Sequence, residues 1–67
     1  MSSTYKKIEI VGTSSDSFAK AASSAVKKAG ESLHGLSWFE VTEMRGAIKD
    51  GKIDEYQVTL KVGLKLD

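Results

Sequence analysis

The last third of the chain carries the strongest constraint. From Tyr56 onward apolar residues occupy every second position, Tyr56, Val58, Leu60, Val62, Leu64 and Leu66, with Gln57, Thr59, Lys61, Gly63 and Lys65 between them. A period of two is that of an extended strand with one apolar and one polar face. Such a strand must be paired along its edges and covered on its apolar side. Asp50-Gly51, just upstream, is a two-residue hairpin signal, because the tight turn that matches strand twist needs left-handed backbone at both positions. The segment before it, Trp38 to Lys49, alternates too: Phe39 and Val41 share one parity, and Trp38, Glu40, Thr42 and Met44 share the other. The two hairpin arms can each exceed about ten residues, the upper end of ordinary strand length.

The N-terminal half supplies the cover. Residues 1–4 are small and polar and are expected to fray. Tyr5 to Val11 alternates, with Ile8 and Ile10 on one face and Tyr5, Lys7 and Glu9 on the other. Gly12-Thr13-Ser14-Ser15 reads as a break, with Gly12 giving backbone freedom and Ser14 or Ser15 capping a helix. From Asp16 the period changes, and Phe18, Ala21, Ala22, Ala25, Val26, Ala29 and Leu33 form one stripe of an amphipathic helix. Asp16 in a first turn and Lys27 and Lys28 further along suit the helix dipole. Alanines in the stripe allow close approach to a sheet, Gly30 weakens the helix, and His34-Gly35 reads as its end, with glycine as a left-handed stop. The order is strand, helix, strand, strand. The fold class is α+β, a three-stranded antiparallel sheet with one helix on one face, in a single domain over residues 1–67.

A chain of 67 residues and 7.2 kDa is marginal alone. There are no cysteines and one histidine, so disulfides, thiolate metal sites and histidine metal clusters are excluded as staples. A structural metal is poorly supported, and self-association is favoured over a lone monomer. The sheet face carrying Trp38, Met44, Gln57 and Thr59 is too apolar to be left bare and too polar for a dry core, so another subunit or a ligand should cover it. A net charge of +1 argues against nucleic acid and anionic membrane as partners. No apolar run spans a bilayer, and a cytoplasmic location is the plain expectation.

Few residues suggest chemistry. Trp38 is the single tryptophan, and an indole is a flat, electron-rich platform for planar ligands, although an interface tryptophan has the same appearance. Gln57 shares its parity, and its amide can both donate to and accept from a heterocycle edge. Arg45 could fork onto a carboxylate of another subunit or onto a phosphate. Gly12-Thr13-Ser14-Ser15 lacks the spacing of a phosphate-binding loop. No nucleophile, base and orienting acid stand together, so catalysis is not supported.

Three segments resemble the dodecin family: Tyr5-Lys6-Lys7-Ile8-Glu9-Ile10-Val11-Gly12-Thr13-Ser14, Leu36-Ser37-Trp38-Phe39-Glu40-Val41-Thr42-Glu43-Met44-Arg45-Gly46, and Asp50-Gly51 followed by Tyr56-Gln57-Val58-Thr59-Leu60-Lys61-Val62-Gly63-Leu64-Lys65-Leu66. The resemblance covers essentially the whole chain. It implies assembly of this subunit into a hollow homododecamer that binds flavins two to a site between subunits. The isoalloxazine would stack on Trp38, with Ser37 beside it, and Gln57 would bond the flavin edge. Arg45 matches a residue of a subunit-linking ion-pair network. Lys6 and Lys65 stand where basic residues meet the ligand phosphate, a lysine at position 65 forgoing two-point phosphate binding. Lys28 and His34 are weaker candidates for a phosphate or coenzyme A contact. The implied role is storage or buffering of FMN, with riboflavin, FAD and coenzyme A as other ligands of the family, and quenching of flavin photochemistry by the stacked indole rather than turnover. The competing readings are an oligomeric assembly or coenzyme A-binding protein with no flavin role, and a nucleic-acid module disfavoured by the charge.

Overall fold

The computed structural model describes residues 2–66. Along it run β1 (Thr4–Ser14), α1 (Phe18–Ser32), β2 (Leu36–Lys49) and β3 (Lys52–Leu66). The alternating C-terminal strand is the middle one: the sheet order is β1-β3-β2, with both neighbours antiparallel to it. The α+β strand-helix-strand-strand fold is therefore as the pattern requires. Thr4 is already paired, with Leu66, while Met1 and Asp67 lie outside the described residues. Asp50 (φ 52°) and Gly51 (φ 74°) both take left-handed backbone, which closes the β2–β3 hairpin in the tight turn expected of this pair.

The even-numbered residues of β3 make the core. Val58, Leu60 and Val62 are almost completely buried against Ala21 and Ala25 of α1, with Ile8, Ile10, Phe18, Ala22, Val26 and Leu36 packed around them. The N-terminal boundary differs from the sequence reading. β1 does not break at Gly12 but runs on to Ser14, with Gly12 paired to Val58 and Thr13 to Gln57. Gly12 is in the strand for want of volume, not for backbone freedom. A methyl group there would meet the carbonyl oxygen of Ala21 and come within 2.7 Å of the Ala25 Cβ. The alanine stripe and this glycine are two halves of one close helix–sheet contact.

Ser14 is occupied elsewhere. Its hydroxyl accepts the amides of Asp16 (3.0 Å) and Ser17 (3.4 Å) to turn the chain out of β1. The helix cap is Ser17, which accepts the Lys20 amide at 3.0 Å, rather than Ser14 or Ser15. Asp16 thus precedes the helix, and the first turn holds no acid and the last turn no base, so the dipole match expected of Asp16, Lys27 and Lys28 is absent. At the other end Leu33 caps α1 in extended backbone, its amide bonding the Ala29 carbonyl. Gly35 (φ 76°) lies beyond the cap, where its carbonyl accepts the Lys65 amide at 2.9 Å. Its left-handed backbone starts β2 rather than stopping the helix.

The helix packs on β1 and β3, not across the whole sheet. β2 contains two irregularities, at Ser37 and at Thr42, each an extra residue against β3, and a third lies opposite Ala47/Ile48. Each bulge reverses the alternation that follows it. Met44 therefore pairs with Val58 on the helix side of the sheet, not on the Trp38 side as simple alternation places it. The bare apolar surface moves with it. Phe39, Val41 and Met44 are about half exposed on the helix side, beyond the flank of α1, and Ile48 and Ile53 extend this stripe to the hairpin tip at 77% and 61% exposure. The subunit measures 53 × 21 × 13 Å with a radius of gyration of 13.9 Å. A compact chain of this length has a radius of about 11 Å. Its accessible surface of 4953 Å² likewise exceeds the roughly 4,100 Å² of a closed monomer of this mass.

The Gly12 contact gives a direct test. Gly12→Ala should destabilise the fold by about 1–3 kcal/mol, because the overpacked atoms are backbone and Cβ atoms that cannot rotate away. Thermal unfolding followed by far-ultraviolet circular dichroism measures it.

Candidate ligand-binding face

The odd-numbered residues of β3 build the opposite face, and two clusters of side chains stand on it. The first is centred on Trp38. Trp38 pairs with Gly63, and Gly63 pairs on its other side with Lys7 of β1. The indole is 41% exposed. Its ring centre is 6.2 Å from that of Tyr5, with the planes tilted by 50°, and the Lys7 ammonium stands 5.6 Å from it, close enough for cation–π attraction. Lys7 also bridges to the Glu40 carboxylate. Lys65, opposite Tyr5, shares this face, and Ser37, exposed beside Trp38, donates its hydroxyl to the Gly35 carbonyl at 3.0 Å.

The second cluster is centred on Gln57. The bulge at Thr42 turns Arg45 onto this face and opposite Gln57. Arg45 Nε donates to Gln57 Oε1 at 2.9 Å, and its Nη1 donates to the buried Thr59 hydroxyl at 3.2 Å. Gln57 Nε2 donates in turn to Glu55 Oε1 at 2.9 Å. Glu43 lies 3.6 Å from Arg45 Nη1. The amide of Gln57 thus has its orientation set from both ends. One N–H and one oxygen lone pair remain for anything that approaches.

Within one chain the clusters are separate. Gln57 and Gly63 are six residues apart on β3, a separation of about 20 Å along a strand. The structure brings Arg45 to Gln57, and Tyr5 and Lys7 to Trp38, with Lys65 on the same face opposite Tyr5, but not Trp38 to Gln57. Lys6 pairs with Leu64 and so faces the helix side, as the alternation of β1 requires. Lys28, on α1 and 3.8 Å from Glu31, is also across the sheet from Trp38, and His34 is exposed in the α1–β2 connection. Among the described residues no three His, Cys, Asp or Glu side chains gather in a way that could hold a metal. Among the described residues no helix is long and apolar enough to cross a membrane.

Sequence reasoning passed over Gly63, Glu55, Tyr5 and Lys7. A glycine inside a strand marks close approach by another group, and that signal was available for Gly63. The others depend on register.

Electrostatics on this face centre on Glu40. Its hydrogen bond to Lys7, the charge of Lys7 and a smaller contribution from Lys61 hold its carboxyl below the ordinary 4.5. The depressed value means that the bridge stabilises the fold above the ordinary pKa and is lost as pH falls through the lowered one. Lys7→Met should return the Glu40 titration toward 4.5, read by carbon-detected NMR. Glu40→Gln should remove this acid-side loss from the pH dependence of the melting temperature.

Comparison with known proteins agrees with this geometry. The Dodecin family profile matches residues 4–67. The dodecin of Thermus thermophilus is 45% identical over 67 residues, covering 100% of this chain and 97% of its own. The dodecin of Streptomyces coelicolor superposes with a TM-score of 0.93 at 46% identity, covering 97% of this chain and 93% of the other. The calcium dodecin of Mycobacterium tuberculosis superposes at 0.83 with 37% identity over 96% of this chain and 91% of its own. A sheet of order β1-β3-β2 with one helix, an exposed tryptophan on its far face and a family match along nearly the whole chain have one account: the chain belongs to the dodecin family.

Proposed function

We propose that copies of this chain assemble into a hollow homododecamer that binds FMN between subunits and stores it in a photochemically quiet form. The observation that carries the reading is the exposed indole of Trp38, held on the sheet face that also bears Gln57, Arg45 and Lys65. A planar, electron-poor ring stacks on such a platform. The remaining N–H and lone pair of Gln57 match a ring edge that both accepts and donates. Lys65 offers a positive charge to a phosphate, as a point charge rather than a fork.

The residues fit a flavin only if more than one chain contributes. Trp38 and Gln57 lie six β3 positions apart in one subunit, so a pocket using both closes between copies. The apolar stripe Phe39, Val41, Met44, Ile48 and Ile53 supplies the reason to assemble, because its burial against a neighbouring copy removes the excess surface of the monomer. A bound flavin would supply an excitable isoalloxazine. Trp38 contributes an indole in stacking contact, able to give an electron and take it back, which drains the excited state before oxygen meets it. Nothing in this arrangement calls for turnover. FMN is the favoured ligand because Lys65 gives its phosphate a partner, with riboflavin, FAD and coenzyme A as competitors to measure against it.

The apolar stripe favours one second reading, an assembly with no flavin role, since it requires copies but no cofactor. Titration separates the two. Apo-protein should quench FMN fluorescence at micromolar concentration, with a particle mass near twelve chains by light scattering. A large particle with no quenching would leave only the assembly. Trp38→Ala should weaken FMN binding by about 1–3 kcal/mol, the worth of one stacked ring. Gln57→Ala should cost about 1 kcal/mol, the worth of a hydrogen bond.

A further inference from the structure

Trp38 belongs to β2, yet its indole is in reach of Tyr5 and Lys7 on β1, two strands away across the sheet. Adjacent strands are about 4.8 Å apart, so the indole leans from β2 over β3, where Tyr5 and Lys7 approach it from the far side. Gly63 is the β3 residue on its path, paired with Trp38 on one side and Lys7 on the other. A Cβ on Gly63 would overlap indole atoms Cε2 and Cζ2 and lie 2.7 Å from Cδ2. Elsewhere on this face β3 carries Gln57, Thr59, Lys61 and Lys65, so the gap falls at the one position the indole covers.

We propose that Gly63 is the positioning residue of the stacking platform: its missing side chain lets the Trp38 indole lie over β3 against the backbone, part-exposed beside Tyr5 and Lys7. Any side chain there lifts the ring and presents its edge instead. Gly63 keeps ordinary strand backbone, since the left-handed glycines are Gly35 and Gly51, and its requirement is therefore for space and not for torsional freedom. The consequence for ligand affinity rests on the flavin reading above. The placement of the ring does not.

The test uses the full chain with Gly63→Ala. Trp38 is the only tryptophan, so emission, iodide quenching and near-ultraviolet circular dichroism of the ligand-free particle report this ring alone. The expected result is a red-shifted, more quenchable emission with unchanged particle mass, and an FMN Kd weakened at least about tenfold. In a Trp38→Phe background, adding G63A should change that Kd by less than about twofold, because the shorter ring does not need the gap. Unchanged indole signals in G63A overturn the proposal, as does an equal loss of affinity in both backgrounds. If G63A does not assemble but G63A/W38F does, the methyl–indole overlap is the cause and the proposal holds. If neither assembles, Gly63 serves the sheet rather than the ring and the proposal fails. Shifted indole signals in a protein whose wild type does not quench FMN would uphold the positioning role and reject the flavin reading.

Discussion

Everything in this subunit hangs on the pairing of β3 along both of its edges. From Tyr56 to Leu64 the strand alternates strictly between two neighbours, so each residue there has a fixed face and two fixed opposites. Its even positions are pressed under the alanine stripe of α1 and form the core. Its odd positions, Gln57, Thr59 and Gly63 among them, anchor or underlie Arg45 and Trp38, which reach in from β2. A one-residue slip of β3 would exchange core and binding face together. The same hydrogen-bond ladder that folds the chain therefore sets the positions of its candidate ligand groups.

What the ladder does not do is finish the surface. α1 has fifteen residues and β3 has fifteen, but a helix rises about 1.5 Å per residue and a strand about 3.3 Å. The helix covers less than half the length of the strand it packs on, and it sits over β1 and β3. The hairpin arms run on past it, and beyond Leu36 the outer strand β2 is left half bare on its apolar side. This mismatch is geometric and follows from the element lengths. It accounts for the long dimension of 53 Å and for an apolar stripe that a second copy is suited to cover.

The element order, the hairpin turn, the core stripe of α1 and the alternation of β3 were all legible in the sequence, because each is a local periodicity or a local backbone demand. The placement of Arg45 and Met44 was not. Both follow the extra residue at Thr42, whose hydroxyl donates to the Thr59 carbonyl at 3.3 Å, and a bulge inserts no glycine or proline here to betray itself. Parity counted from Trp38 puts Met44 beside it and Arg45 behind it. The observed register does the reverse. Gly12 and Gly35 were legible as special positions but not for their actual reasons. In Gly12 the demand is the helix backbone overhead, and in Gly35 it is the start of a strand. The companions of Trp38 and Gln57 could not be read at all, since Tyr5, Lys7 and Glu55 acquire meaning only from cross-strand pairing.

The separation of the two side-chain clusters ties any pocket that uses both to more than one chain. A pocket that needs Trp38 from one chain and Gln57 from another exists only in the assembled state. A ligand held there binds that state and not the free chain, so by linkage it stabilises the assembly in proportion to the logarithm of its concentration over its Kd. A single chain retains the exposed indole and the oriented amide but keeps them about 20 Å apart. On that reading, storage and assembly would share one free energy. On the flavin reading, loss of ligand would loosen the particle, and loss of contacts at Phe39, Val41 and Met44 would lower affinity although these side chains lie on the helix side of the sheet.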